Sequence, residues 1–387
     1  MRISVVSFSL LISVCGFAQS VASLNFNHRY DPANEIDFRT ALTRYDNQMV
    51  VHYSIQLMRS SDTRNYAITW ESRESYSDRN GQVLRTDTLT LKVGETKTGY
   101  LSVNETENPW ILLAAITSQA DQSTQYYAQV VEANYPVFAA IRGPDDKIVP
   151  PYLKTGEDFE LSGLLSPKTV YAYHYQTDFP SALPPFSTRP GAADPVMLPD
   201  SSFSFQSDGT MRMNEEGLYL FQVDTTKNQG LAVRVESGAF PRYSRIDELV
   251  GPLIYVSTQG EFNQLLSTNG DKAKFDRIIL DITRDKSRAK DFMRSYYRRV
   301  ELANRYFTSF KQGWKTDRGM IYIIFGPPDN VSLGSQTEIW FYKDSRTRFI
   351  FLKAGSIYDP EYFVLQRSRS YSELWYNTID LWRKSRF

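Results

Sequence analysis

The sequence predicts a mainly β protein: two N-terminal immunoglobulin-like β-sandwich domains followed by a C-terminal α+β domain. Two observations carry that expectation. Throughout the first 240 residues, apolar side chains fall on every second position of short segments, the period of a half-buried strand. After about Ser244 the apolar spacing changes to three and four, the period of a helix face. The chain has 387 residues, enough for two or three domains at roughly 100–200 residues each.

At the start, Arg2 precedes an apolar stretch from Ile3 to Val14, followed by Gly16-Phe17-Ala18-Gln19. A short charged start, a core of about a dozen apolar residues and small residues before the cut describe a secretory signal peptide. It is placed at residues 1–18, with Ala22 as the alternative cut. The stretch is shorter than the about 20 residues a membrane span needs, and no later segment approaches one. No transmembrane segment is therefore expected. Cys15 invites a lipid anchor, but Val14 is bulkier than the Gly, Ala or Ser usual before a lipidated cysteine. Cleavage after Ala18 removes the single cysteine, so the mature chain forms no disulfide. The expected location is outside the cytoplasm, in the periplasm or associated with the outer membrane.

Residues 19–136 are expected to form the first sandwich. Val51 to Leu57, Tyr66 to Trp70 and Leu89 to Val93 alternate strictly, and Trp110 to Ile116 and Tyr126 to Val131 follow. Asn80-Gly81 predicts a tight hairpin, because a type I′ turn needs positive φ at both central residues. Residues 137–240 form a second all-β unit, entered through Gly143-Pro144-Asp145 and Pro150-Pro151. Its strands are Asp158 to Leu161, Val170 to Tyr175, Phe203 to Gln206, Leu218 to Val223 and Leu231 to Glu236, with a turn at Asp208-Gly209. A Pro-rich stretch from Phe179 to Pro199 is expected to be a stiff surface loop. Tyr171, Tyr173 and Tyr175 share one strand face, which the reading assigns to the core.

Residues 241–387 bring helices. Thr258-Gln259-Gly260-Glu261 fits a capping box, and Gly270 a stop. From about Ser287 to Phe307, the residues Phe292, Tyr296, Val300, Ala303 and Phe307 make one apolar stripe. Arg294, Arg298, Arg299 and Arg305 are expected off that stripe, as a solvated face and a candidate contact for an anion or partner. Strands follow at Met320 to Phe325, Thr337 to Tyr342, Phe349 to Leu352 and Tyr362 to Leu365. Ser370-Tyr371-Ser372-Glu373 then caps a final helix carrying Leu374, Trp375, Leu381 and Trp382.

The total charge is zero but unevenly placed. Residues 241–387 hold 25 Lys and Arg against 17 Asp and Glu, and the remainder holds 19 against 27. A basic half suits an acidic partner: a protein, anionic envelope glycan or lipid head groups. Nucleic acid is not expected, since the chain is exported and shows no binding module for it.

The block Gly313-Trp314-Lys315-Thr316-Asp317-Arg318-Gly319, running on through Gly326-Pro327-Pro328-Asp329, resembles the signature of the GWxTD domain family, found mainly in envelope proteins of Bacteroidota-type bacteria. The resemblance covers about Leu249 to the end. Tyr296 to Phe307 looks like the family's preceding helix and Glu338 to Tyr342 like its following strand. One departure is visible: where members often carry a Phe-Trp pair and an Arg-Asp-Pro turn, this chain has Ile278-Ile279-Leu280-Asp281 and Arg284-Asp285-Lys286. The resemblance implies a module and an address, and no reaction.

Read physically, the block is a fold-forming corner. Gly313 takes conformations closed to other residues, Trp314 supplies a large apolar body with one N–H donor, and Thr316 and Asp317 bond nearby amides. Arg318 has Asp317, Asp329 and Glu338 as candidate partners. The only histidines are His28, His52 and His174, so the C-terminal half lacks a Ser-His-Asp triad or a His-rich metal set. No phosphate loop of Walker or Rossmann type is present. No cofactor and no metal site are expected. Asp317 and Asp329 remain as a conceivable glycosidase-like carboxylate pair. The expected function is a non-catalytic exported envelope protein whose signature domain contacts a protein partner in an export or surface-assembly complex. The alternatives are glycan or peptidoglycan binding, and a carboxylate-dependent hydrolase.

Overall fold

The computed structural model describes residues 19–46, 48–59, 63–104, 106–143, 146–149, 152–188 and 197–386. The expected signal peptide, Cys15, the Pro144-Asp145 and Pro150-Pro151 punctuation and part of the Pro-rich loop lie outside them. The protein is mainly β, with a C-terminal region of helices and one sheet.

The first sandwich contains β1 (Ile36–Tyr45), β2 (Gln48–Leu57), β3 (Arg64–Arg73), β4 (Gln82–Leu91), β5 (Thr96–Val103), β6 (Trp110–Ser118) and β7 (Thr124–Val131). One sheet runs β1-β2-β5 and the facing one β4-β3-β6-β7. Along β2 the alternating Met49, Val51, Tyr53, Ile55 and Leu57 are buried in one cluster with Ile68, Trp70, Leu112 and Ile116 of the facing sheet. The opposite face of β2 is also covered. His52 Nδ1 accepts from Arg142 Nη2 at 3.2 Å, tying β2 to the second sandwich.

The hairpin signalled by Asn80-Gly81 forms, with β3 and β4 paired antiparallel, but its tight turn is corrected. Residues 74–81 form a longer connection between β3 and β4, and neither Asn80 nor Gly81 takes a positive φ. Gly81 serves close approach instead: a Cβ there would lie 2.4 Å from Arg73 Nε and 2.9 Å from Glu71 Oε2. It closes over a fully buried Glu71–Arg73 ion pair.

The second sandwich contains β8 (Ala140–Arg142), β9 (Tyr152–Lys154), β10 (Asp158–Ser162), β11 (Thr169–Tyr175), β12 (Ser201–Gln206), β13 (Met211–Arg212), β14 (Gly217–Gln222) and β15 (Leu231–Glu236). Its sheets run β13-β10-β8 and β12-β11-β14-β15-β9. The tyrosine face of β11 is corrected at Tyr171 alone, since Tyr175 and Tyr173 pack in a cluster with Leu218, Leu220 and Phe310. Tyr171 is 43% exposed, Tyr173 half-buried and Tyr175 buried, whereas Val170 and Ala172 point into the core beside Phe159 and Phe221. The period of two says which side chains share a face; it does not say which face is covered. The described part of the Pro-rich stretch is no free excursion either. Ala182 N–H donates to Lys315 O at 3.0 Å, and Pro185 O accepts from Ser368 N–H at 3.0 Å, so it lies on the C-terminal domain.

That domain contains α1 (Ile246–Val250), α2 (Gln259–Leu266), α3 (Lys272–Thr283), α4 (Lys286–Phe307), α5 (Asp317–Phe325), then β16 (Asn330–Leu333), β17 (Thr337–Tyr342), β18 (Thr347–Lys353) and β19 (Phe363–Leu365), and α6 (Ser372–Arg383). The capping box at α2 forms as predicted, with Thr258 Oγ1 accepting from Glu261 N–H and Glu261 from Thr258 N–H. Helix α3 was not foreseen; Asp271 starts it by accepting from the amides of Ala273 and Lys274. At α6 the expected cap is not made: Tyr371 is the N-cap and offers no side-chain acceptor, because a short 3₁₀ turn over Arg369–Tyr371, capped by Ser368, precedes the helix.

The largest correction concerns Met320 to Phe325, which is helix α5 and not a strand. Met320, Ile321, Tyr322, Ile323 and Ile324 are all buried in the domain core. A short helix enclosed on every side has no polar face, so its run of apolar residues is indistinguishable from a buried strand. Thr316 decides the matter by capping. The sheet is β16-β17-β18-β19, with β16 as the partner of β17.

The C-terminal core is completed from the other end of the chain. Val21, Leu24, Phe26 and Tyr30 belong to its buried cluster. Phe26 N–H donates to Val331 O at 2.9 Å, and Tyr322 OH donates to Tyr30 O at 2.9 Å. Among the described residues, no helix is long and apolar enough to cross a membrane.

Candidate functional site

The signature lies where α4 ends and α5 begins. Past Phe307 the chain reverses through residues 308–312 and enters a 3₁₀ turn at Gly313–Lys315. Asn304, wholly buried on α4, organises the reversal: its Oδ1 accepts from Trp314 N–H at 3.0 Å and its Nδ2 donates to Pro241 O at 3.1 Å. Thr308 Oγ1 accepts from Gly313 N–H at 2.9 Å. Gly313 sits so close to α4 that a Cβ would lie 2.1 Å from Ala303 O. Trp314 is buried, with Nε1 donating to Tyr243 OH at 2.9 Å and its carbonyl accepting from Tyr255 OH at 2.9 Å.

Each remaining signature residue holds α5 in place. Thr316 is its N-cap: Oγ1 accepts from Gly319 N–H at 3.0 Å and donates to Gly313 O at 2.8 Å. Such a cap stabilises a helix by about 1 kcal/mol. A Cβ on Gly319 would lie 1.8 Å from Gly313 O, so the first turn of α5 fits only a glycine there. Asp317, at the first helical position, is buried and clamps β19. It accepts from Leu365 N–H at 2.8 Å and from Arg367 Nη2 at 2.5 Å. Lys315 reaches outward to pair with Asp178 of the Pro-rich stretch. At the far end Gly326 has φ of +85°, and Tyr342 OH donates to its carbonyl at 2.8 Å. Pro327 is exposed and Pro328 buried. Asp329 is exposed and accepts from Lys343 N–H at 2.7 Å. Asp317 starts α5, whereas Asp329 lies four residues beyond its end, past the turn at Gly326.

Arg318 resolves to Glu338, 3.3 Å away. Glu338 is 1% exposed and also accepts from Tyr30 OH at 2.8 Å and Trp340 Nε1 at 2.6 Å. Phe363 lies against the Arg318 guanidinium, 4.9 Å from ring centroid to Cζ. Burial works to lower the basicity of Arg318, but Glu338 and Tyr30 raise it overall. This group lines a 410 Å³ cavity where both sandwiches meet the C-terminal domain, with Asp359 on its wall. Burial pushes the Asp359 carboxyl up to about 6, against the opposing pull of Arg318.

Next to it opens a second cleft of 380 Å³ between β1, the N-terminal segment and α4. Arg29, Arg39, Arg59, Arg298 and Arg305 line it, against Asp31 and Asp37. Burial works to raise the Asp37 carboxyl, yet Arg39 and Lys147 hold it down at about 2. Arg29 is different: among the described residues its guanidinium makes no hydrogen bond or ion pair, its Cζ lies 5.8 Å from the centre of the Tyr30 ring, and although burial works to lower its basicity, Tyr30 and Glu338 raise it overall. Of the four arginines predicted as a face, Arg294, Arg298 and Arg305 are exposed, and the last two enter this cleft. Arg299 is corrected: it is half-buried, donates to Tyr322 O at 3.3 Å and stacks on Trp382. Sequence reasoning missed Asn304, Arg367 and Arg29. Asn304 carried a signal, an amide in the middle of an apolar helix; Arg29 carried none.

His28 also lines the cleft, and burial pushes both His28 and His52 down to about 4. In the unfolded chain they titrate near 6.5. The unfolded state therefore binds more protons between pH 6.5 and 4, so stability is complete above 6.5 and falls as pH drops through that window. Asp359 acts oppositely: its raised value makes its contribution grow as pH falls below about 6. Two histidines outweigh one carboxyl. The melting temperature is expected to fall from pH 7 to pH 4.5, and Asp359→Asn to steepen the fall; a flat profile in both proteins refutes this.

Residues 217–384 match the GWxTD domain family. The match begins within the second sandwich, at β14. No curated protein sequence matches the chain. Among solved structures it is similar to a β-glucosidase from Kluyveromyces marxianus, at 11% identity and TM-score 0.18, covering 25% of this chain and 14% of that one. A Bacteroides uniformis β-glucuronidase 2 calcium-binding mutant gives 11% identity and TM-score 0.18, covering 32% and 16%. Red sea bream transglutaminase gives 11% identity and TM-score 0.20, covering 52% and 31%. The chain spans less than a third of the length of each of these proteins. Overlap this slight assigns no activity.

Proposed function

Residues 217–384 being a GWxTD domain, we propose that the protein is a non-catalytic, exported component of the cell envelope that holds a protein partner, in an export or surface-assembly complex, through an acidic segment of that partner. The observation that carries this reading is the Arg29 guanidinium, which among the described residues has no hydrogen bond or ion pair, beside Arg298 and Arg305 in one cleft. Guanidinium groups bind carboxylates bidentately, and a cleft with an excess of one charge draws the opposite one to it. The signature supports the non-catalytic part: its polar atoms are occupied in capping α5 and clamping β19. Export after cleavage at Ala18 keeps Val21, which is fully buried in the C-terminal core; a cut after Ala22 removes it.

The test is binding of a fluorescent Asp/Glu-rich peptide, and capture of the envelope partner, by the wild type and by Arg298→Glu/Arg305→Glu. At least tenfold weaker peptide binding, loss of the partner and an unchanged melting temperature are expected, with a recovered chain that begins at Gln19. Equal binding by both proteins, or no salt dependence, sinks the reading.

A further inference from the structure

On the first sandwich, the loop of residues 74–81 faces the end of β5 and the start of β6. Between them lies a groove of 1050 Å³. That is at the upper limit of small-molecule sites, which run about 300–1,000 Å³. Its lining differs in kind from the basic cleft. Arg73 and Arg79 are matched by Glu74 and Asp78, so the lining carries no net charge. Leu101, Val103 and Trp110 give an apolar floor, joined by Leu84, which is 41% exposed. Around this floor stand amides: Asn80, Gln82 and Asn104 are exposed, and among the described residues their side chains make no hydrogen bond.

The groove is also held rigid from beneath. The Glu71–Arg73 pair, 2.5 Å apart, is fully buried at the end of β3. Arg73 Nη1 donates to Asp78 O at 3.4 Å, and Gly81 closes directly over the same guanidinium. The loop that carries Asn80 and leads into Gln82 of β4 is thereby tied to a buried ion pair, which lowers the cost of ordering its backbone on binding.

We propose that this groove binds a neutral oligosaccharide. Free planar amides donate and accept at once, which suits adjacent hydroxyl groups. An indole and aliphatic floor suits the C–H face of a sugar ring. A lining without net charge selects a neutral polyol over an anion, and its size suits several sugar units. The site is separate from the basic cleft, and its ligand does not depend on the partner proposed above.

A glycan array probed with the purified chain, followed by calorimetry on the strongest neutral oligosaccharide, tests this. The variants are Gln82→Ala/Asn104→Ala, both at exposed positions, and Arg298→Glu/Arg305→Glu as control. Binding of a neutral oligosaccharide is expected, at least tenfold weaker in the first variant at unchanged melting temperature and unaltered in the second. Retention of no neutral glycan, equal binding by the amide variant, or binding of acidic glycans alone that disappears with the arginines overturns the proposal.

Discussion

Gly313→Ala is expected to destabilise the C-terminal domain by about 3 kcal/mol, the upper end of overpacking costs, lowering its melting temperature by roughly 6–12 °C for a domain of this size. The added methyl would stand 2.1 Å from Ala303 O and 2.7 Å from Asn304 Cα, both backbone atoms of α4. A flexible side chain would yield; a helix backbone moves only if the corner opens. Gly319→Ala makes the same demand on the Gly313 carbonyl, at 1.8 Å. Gly260 in α2 is the control, since a Cβ there meets nothing within 4 Å. Alanine at that position is expected to leave stability unchanged or raise it by about 0.5–1 kcal/mol through lower backbone entropy in the unfolded chain. Thermal unfolding of the three variants decides the matter: a Gly313→Ala protein as stable as wild type means the close approach to α4 is not what the glycine serves.

Asp317→Asn is expected to cost about 3 kcal/mol, the low end for breaking a buried ion pair because Arg367 keeps some solvent. The asparagine retains an acceptor for Leu365 N–H but leaves the Arg367 guanidinium without its carboxylate, bonded only to the carbonyls of Leu183 and Leu365. Adding Arg367→Met is expected to recover part of that cost, giving a coupling of about 1–3 kcal/mol in a double-mutant cycle. Asp329→Asn, at an exposed site with one backbone contact, is expected to shift stability by no more than about 0.5 kcal/mol. These expectations oppose the carboxylate-hydrolase alternative directly. Loss of function in vivo on Asp329→Asn or Asp317→Asn, with melting temperature and partner binding both unchanged, would falsify the non-catalytic reading.

Much of the fold was legible from local pattern. Strands β2 and β3 showed the period of two in their apolar residues and α4 showed its stripe, whereas β6, buried on both faces, showed only as a continuous apolar run. Some of the elements that escaped notice lack a contrast between faces or are very short, whereas β1 with ten residues, β5 with eight and α3 with twelve are neither. Strands β8, β9 and β13 have two or three residues each, and α5 is enclosed on all sides. The signature was recognisable as a corner, with Thr316 and Asp317 bonding backbone amides and Arg318 among reach of Glu338. Its geometry was not recognisable, since the run after it was read as a strand.

The sequence by itself determined the order of β and α parts, the signature that marks the C-terminal domain, and the basic bias of that domain. These are properties of composition and of spacing along the chain. Tertiary structure alone decided what the signature does and where charge gathers. Asp317 meets Arg367, Tyr30 meets Glu338 and Arg29 joins Arg298 only because the fold brings together segments tens to hundreds of residues apart. Such pairings leave no periodic trace, because each depends on how whole elements pack and not on the residues beside it.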